Sequence, residues 1–248
     1  MRRNYFILAL SLIILSIITY ATIPNSPCTP KERTIAITLD DLPIEYAQFE
    51  KISRALTQHK APAIGFVIGK KVNEDTSKEL QAFLEAGFTL GSHSYSHLNL
   101  RKVSAAAYIA DVERADKILS PFMTGSKYYR YPYLAESSFV KKRKVLHYLE
   151  KKHYRVAPVT IDSRDFLFNL KFTNEVRANP KLFNTLRQHY LDFVWQQTRL
   201  AEKSQRCAPT KQILLLHANI LNSYFLDDLL QMFENHGYRF ISLEDALN

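Results

Sequence analysis

Cysteine, glycine and tryptophan are scarce in this chain: two, six and one among 248 residues. So few cysteines exclude a small disulfide scaffold, and so few glycines exclude a collagen-like chain. No segment recurs at a fixed period, which excludes solenoids and propellers. Apolar residues are not lacking. At 46% hydrophobic and 23% charged, the composition is that of a globular protein and excludes a disordered one. The length suits one large domain with a sizeable core.

Met1, Arg2 and Arg3 precede an almost unbroken apolar run over residues 5–18, and the small residue Ala21 follows. A charged start, an apolar stretch and a small residue form the layout of a secretory signal. The run falls short of the about 20 residues that span a membrane comfortably. Residues 1–21 are read as a signal peptide or an uncleaved N-terminal anchor, residues 22–33 as a Pro-rich linker, and residues 34–248 as a single domain. This predicts export to the periplasm, the cell envelope or the medium, with membrane anchoring through the apolar segment as the variant. In an oxidising compartment Cys28 and Cys207 have two readings, a bond between the mature N-terminus and a late loop or two unpaired thiols.

Lys and Arg outnumber Asp and Glu by 33 to 24, a formal net charge of +9. Residues 141–155 hold seven of these cations. Val145, Leu146, Leu149 and Tyr154 fall among them at helical spacing, which predicts an amphipathic helix with a solvated basic face. The sharper reading is attraction to an anionic polymer such as cell wall or lipid headgroups. With export predicted and no nucleic-acid motif present, nucleic acid is not an expected partner.

Beyond residue 33, strand-like runs alternate with helical ones. Strands are predicted over 34–39, 63–68, 88–90, 127–131, 154–161, 213–216 and 238–242. Helices are predicted over 46–59, 74–86, 103–119, 139–152, 180–203 and 223–236. Such alternation implies an α/β fold with a mainly parallel sheet, whose functional groups collect at the C-terminal strand ends. The polar residues respect that rule. Asp40 and Asp41 follow the first strand, and His93 and His97 the third. Arg130 lies in the fourth, just before Tyr131-Pro132-Tyr133. Asp162 and Asp165 follow the fifth, and His217 closes the sixth. Singly, each has a bland reading as a turn former, a surface loop or a capped core histidine. Together they bring titratable groups from five strand ends to one rim. The remaining histidines, at 59, 147, 153, 189 and 236, are read as structural.

Two imidazoles and one carboxylate make a three-ligand site with open positions, the catalytic pattern for zinc. A divalent ion there would acidify water and polarise a carbonyl oxygen. A second carboxylate can act as general base, an arginine beside it keeps it ionised, and a histidine held by another carboxylate can protonate a leaving amine. The set predicts metal-assisted hydrolysis of an amide or ester. Which of Asp40 and Asp41 binds metal and which acts as base does not follow from these residues alone.

The segments Thr38-Leu39-Asp40-Asp41-Leu42-Pro43, His93-Ser94-Tyr95-Ser96-His97, Arg130-Tyr131-Pro132-Tyr133, Asp162-Ser163-Arg164-Asp165-Phe166 and Leu214-Leu215-Leu216-His217 resemble, in order, the five motifs of the polysaccharide deacetylases. These carry a NodB homology domain and form carbohydrate esterase family four. The resemblance covers residues 34–242. It implies a distorted (β/α) barrel with a divalent metal, zinc foremost, that removes N- or O-acetyl groups from a polysaccharide such as peptidoglycan or a chitin-like polymer. It also implies the roles. Asp40 would be the base, Asp41, His93 and His97 the metal ligands, and Arg130 the group orienting Asp40. Tyr133 would supply an oxyanion donor from its backbone, Phe166 part of the acetyl-binding wall, and His217 the acid, oriented by Asp165.

The chain departs from the family's pattern at Leu39 (usually Phe), Leu42 (usually Gly), Leu98 (commonly Pro) and Phe166 (usually Trp). Leu42 is expected to add bulk beside the site. Residues 168–205 are long for a plain connection and are expected to form an inserted cap. A monomer is expected, and two other readings stay open, a deacylase of another acylated glycan or lipid-linked sugar, and a catalytically silent glycan-binding barrel. The presence of Asp40, Asp41, His93, His97 and His217 argues against the silent form, which needs no acid, base or metal set.

Overall fold

Nine of the ten residues of β1 (Arg33–Leu42) lie wholly or partly inside the protein, which a strand tolerates only where both its faces are covered. It runs parallel to β8 (Tyr238–Ile241) along its first half, to β2 (Ala63–Val67) along its second, and to β7 (Lys211–His217) over most of its length. With β3 (Thr89–Ser92), β4 (Lys127–Tyr129), β5 (Tyr154–Val156) and β6 (Ile161–Asp162) the order is β5-β4-β3-β2-β1-β7-β6, every pairing parallel. The computed structural model describes residues 32–123, 125–176, 179–204 and 211–248. The expected signal segment, nearly all of the linker, Cys28 and Cys207 lie outside these residues. Among the described residues, no helix is long and apolar enough to cross a membrane.

The strand expected over 154–161 is two strands, at opposite ends of the sheet. Pro158 has no N–H to continue a ladder. On either side of it the chain changes partner: Ala157 N–H donates to Tyr129 O at 2.9 Å and Thr160 N–H to Ile213 O at 3.0 Å. Residues 157–160 thus cross from one sheet end to the other and close the curl without a ladder. This is the distorted (β/α) barrel that the five motifs imply.

Among the described residues, eight α-helices follow the strands: α1 (Tyr46–Gln58), α2 (Glu74–Glu85), α3 (Ala105–Leu119), α4 (Phe139–Lys151), α5 (Asp165–Lys171), α6 (Phe183–Ser204), α7 (Ile220–Asn235) and α8 (Leu243–Leu247). The main core joins β1 and β7 to α1, α2, α6 and α7 through side chains such as Ile37, Leu39, Leu214, Leu216 and Phe233. Full burial of each contributes about 1.5–3 kcal/mol. In the basic helix α4, Val145 and Leu149 are buried. Lys141 turns its ammonium to Val103 O at 2.8 Å, and Lys142 pairs with Glu136. Within the long segment 168–205, Leu186, Tyr190 and Val194 of α6 belong to the main core.

Candidate active site

Neighbouring residues of a strand point to opposite faces, so Asp40 and Asp41 should be separated by the sheet. They are not. Leu39 pairs with Gly65 but Leu42 with Val67, so β1 carries one extra residue between them, a β-bulge. Asp41 takes φ 73° at that point, and both carboxylates line one cavity of about 530 Å³. Bulges re-aim side chains in this way.

Leu42, the next residue, turns inward. It is 2% exposed, belongs to the core and does not line the cavity, contrary to the expectation of bulk beside the site. The reason lies across the ladder, where a Cβ on Gly65 would fall 2.0 Å from Leu42 Cδ1. The missing side chain at 65 makes room for the extra one at 42.

His93 follows β3 and is buried. Its Nδ1 lies 2.9 Å from Arg130 O, and a carbonyl only accepts, so Nδ1 carries the hydrogen. Burial pushes the His93 pKa down, although the Asp40 and Asp41 charges oppose this. The neutral ring therefore presents a bare Nε2 lone pair, 3.5 Å from Asp41 Oδ1 and 3.7 Å from Asp40 Oδ2. His97 Nε2 is 3.3 Å from the same Asp41 oxygen. Burial would raise the Asp41 pKa; the His97 hydrogen bond and the surrounding histidines hold it well below the usual carboxylate range. The ligand atoms of Asp41, His93 and His97 lie within 4.8 Å of one another. The bare His93 Nε2, aimed at two carboxylates with no hydrogen to give them, makes a repulsive contact that a cation between them would relieve. Two imidazoles and a carboxylate are the donor set that zinc takes at catalytic sites, so the residues fit such an ion.

The loop between the histidines is held from α3. Asp111 accepts from Tyr95 N–H and Ser96 N–H, both at 3.0 Å, and Ser94 Oγ accepts from His97 N–H at 3.0 Å. Asp40 faces Arg130, whose Nη1 lies 3.5 Å from Asp40 Oδ1. Arg130 is fully buried, donates to Thr38 Oγ1 at 3.1 Å and stacks its guanidinium 4.7 Å from the centre of the Phe66 ring. A buried charge of this kind persists only when it is paired.

At the neighbouring strand end, that of β7, His217 Nδ1 lies 2.6 Å from Asp165 Oδ1. The second Asp165 oxygen accepts from His217 N–H at 2.7 Å, Asn219 Nδ2 at 3.1 Å and Asn222 Nδ2 at 2.5 Å. Burial alone would lower the His217 pKa. The hydrogen bond to Asp165 and the charges of Asp165, Asp40 and Asp41 outweigh it and push the value up to about 9. Tyr190 of α6 donates to Asn222 Oδ1 at 2.9 Å, so the long segment supports this carboxylate.

Tyr133 (φ 58°) and Phe166 line the same cavity, both substantially exposed; the Tyr133 ring meets His97 edge-on at 4.5 Å, and the Phe166 ring meets His217 at 6.0 Å. All nine expected residues thus converge on one cavity or directly support its walls. Sequence reasoning did not single out Asp111, Asn219 and Asn222. Asn219 had a signal, since its Oδ1 accepts from Asn222 N–H at 2.9 Å and caps α7.

The strand ends of this parallel barrel thus gather an Asp-His-His cluster, an Asp-Arg pair and an Asp-His pair around one cavity. The family model "Polysaccharide deacetylase" matches residues 28–157, and the chain belongs to that family. Among curated proteins it is 29% identical over 153 residues to a chitin deacetylase of Arthroderma benhamiae, covering 60% of this chain and 39% of that one. It is 32% identical over 159 residues to a peptidoglycan-N-acetylglucosamine deacetylase of Bacillus cereus, covering 62% and 55%. The chain therefore spans less than two thirds of either relative. Among solved structures, the Xyl-CE4 domain of a multidomain xylanase from the hindgut metagenome of Trinervitermes trinervoides shares the fold, with TM-score 0.63, 22% identity, and 88% and 90% of the two chains covered.

Proposed function

We propose that the protein is a metal-dependent hydrolase that removes acetyl groups from a polysaccharide. The observation that best supports this is the His93 ring, whose hydrogen bond to Arg130 O leaves a bare Nε2 facing the two aspartates. Asp41, His93 and His97 would hold a divalent ion, zinc foremost, which when bound supplies a Lewis acid that acidifies water and polarises the acyl carbonyl.

The chain's own residues carry the protons. Asp40, kept beside the Arg130 guanidinium, takes the proton of the attacking water as general base. His217 is charged at neutral pH and returns a proton to the leaving nitrogen or oxygen through Nε2, because Asp165 holds Nδ1. The backbone N–H of Tyr133 would steady the developing oxyanion, an interaction typically worth about 3–4 kcal/mol of barrier, and Phe166 would wall the acyl pocket.

The names of the curated relatives support an N-acetylated amino-sugar polymer, peptidoglycan or chitin-like, as substrate. A second reading draws on Phe166, Leu167 and Leu170, which are 46%, 44% and 55% exposed on the first turns after β6. Phe166 lines the cavity, and Leu167 and Leu170 line a second groove that shares Arg164 with it; apolar side chains there favour an acylated glycan with an apolar portion, such as a lipid-linked sugar. The apolar N-terminal run supports export, with anchoring as the variant; residues 34–248 are proposed as the catalytic unit, acting as a monomer.

The test is acetate release from acetylated chitooligosaccharides and from peptidoglycan, with chelator and then with zinc restored. Acetate that disappears on chelation and returns with zinc is expected. No acetate from folded, zinc-loaded protein on either substrate would defeat the polymer reading. Zinc binding without turnover of any acylated glycan would favour a silent barrel.

A further inference from the structure

The bulged end of β1 and the histidine loop, which carry the candidate ligands, are both tied to one short turn, Gly69–Lys71, which lies outside all five motifs. On one side its backbone holds the histidine loop: Gly69 N–H donates to Ser94 O at 3.0 Å and Lys70 N–H to Tyr95 O at 2.9 Å. The approach is close, since a Cβ on Gly69 would lie 3.1 Å from the Tyr95 ring. On the other side the Lys71 ammonium donates to Asp41 O at 2.6 Å and to Pro43 O at 3.4 Å. Just before the turn, Ile68 N–H donates to Leu42 O at 2.9 Å.

Lys71 reaches the residue that most needs holding. Asp41 stands at a bulge with φ 73°, a left-handed conformation that costs a non-glycine residue about 1–3 kcal/mol and persists only where the surroundings over-determine it. Once Asp41 leaves the ladder, its carbonyl needs a donor from elsewhere. A charged donor makes a stronger bond than a neutral one. The same turn thus fixes Asp41 with its side chain and the His93–His97 loop with its backbone.

We infer that Lys71 is a positioning residue for the metal site, holding the Asp41 backbone so that its carboxylate meets His93 and His97. This rests on the metal reading above. The alternative, a surface lysine acting only through its charge, predicts the opposite sign. A cation beside the site repels a divalent ion, so its removal would tighten binding. A positioning role predicts weaker binding, because groups that orient metal ligands typically contribute about 10–100-fold in affinity.

The experiment compares the full-length protein with Lys71→Met and Lys71→Gln. Zinc affinity is read by competition with a chromophoric chelator, and ligand geometry by the visible spectrum of the cobalt-loaded forms. Lys71→Met is expected to weaken zinc about 10–100-fold and alter the cobalt bands. Lys71→Gln keeps a neutral donor and should recover part of the loss; it also serves if the methionine variant does not fold. Unchanged or tighter zinc binding in either folded variant overturns the inference and leaves the metal reading intact. A wild-type protein that binds no divalent ion overturns both.

Discussion

Asp40 of β1 and His217 of β7 are register partners across a parallel ladder, so the proposed base and acid stand on adjacent strand ends. The ladder is reinforced at that level by Ala218 N–H donating to Asp40 O at 2.8 Å. Neighbouring strands lie about 4.8 Å apart, so one acyl group entering the cavity comes within reach of both side chains. Their environments then divide the labour: a guanidinium faces Asp40, and a carboxylate holds His217. Opposed environments of this kind separate an acid from a base at one pH.

The His217 proton is the first consequence. Its folded pKa, pushed from 6.5 to about 9, makes it an imidazolium at neutral pH. The sign follows from a raised value. The stability it contributes is fully present below 6.5 and is lost as pH rises towards 9. A proton NMR titration of the metal-free protein should place His217 near 9. In Asp165→Asn the main raising contact is gone and burial pulls the other way, so the midpoint should drop by more than one unit. Turnover should fall by roughly 10²–10⁴. A midpoint unchanged by Asp165→Asn would remove the account of how the acid is kept charged.

The two aspartates should separate under nearly isosteric change. Asp40→Asn removes the base but leaves Asp41, His93 and His97, so turnover should fall by roughly 10²–10⁴ with zinc still bound one to one. Asp41→Asn and His93→Ala should lose zinc and turnover together. Metal analysis after dialysis, alongside acetate release, decides it. If Asp40→Asn emptied the site and Asp41→Asn did not, the two roles would be exchanged.

Arg130 offers a stability prediction. Arg130→Met leaves the Asp40 carboxylate buried without its cation, which typically costs about 3–5 kcal/mol. For a domain of this size that lowers the melting temperature by roughly 6–20 °C. Adding Asp40→Asn removes the stranded charge and should recover part of the loss. Calorimetry on the two single variants and the double variant reads the coupling. A double variant with the full sum of both losses would mean that the pair does not interact.

The barrel and most of its site were legible because strand ends are where such folds place chemistry: Asp40 and His217 stand in the last residues of their strands, and His93, Arg130 and Asp165 come just after theirs. What was not legible had local causes. Pro158 split one apparent strand between two sheet ends. Asn219 started α7 at Ile220, three residues before the apolar pattern indicated. The bulge at Asp40–Asp41 cannot be seen in a run of strand-forming residues, yet it brings both carboxylates to one cavity. Asp111 and Lys71 carry no motif, and their contacts exist only once distant segments have packed.

The bulge also rests on a pair that lies outside the cavity. Leu42 sits where the family usually has glycine, and Gly65 leaves the space that it fills. Gly65→Ala would place a methyl group 2.0 Å from Leu42 Cδ1, closer than any real contact, so Leu42 or the strand must shift. Overpacking of this kind typically costs about 1–3 kcal/mol. Because Leu42 adjoins Asp41, the shift should also weaken zinc binding. Leu42→Ala alone opens a cavity and should cost about 2–5 kcal/mol. In the double variant the new methyl occupies space that the leucine has left, so its loss should be smaller than the sum of the singles, and zinc affinity should return towards wild type. Denaturant unfolding and zinc competition on the four proteins measure both quantities. Strict additivity would mean that the two side chains do not share that space and that Asp41 is placed by other contacts.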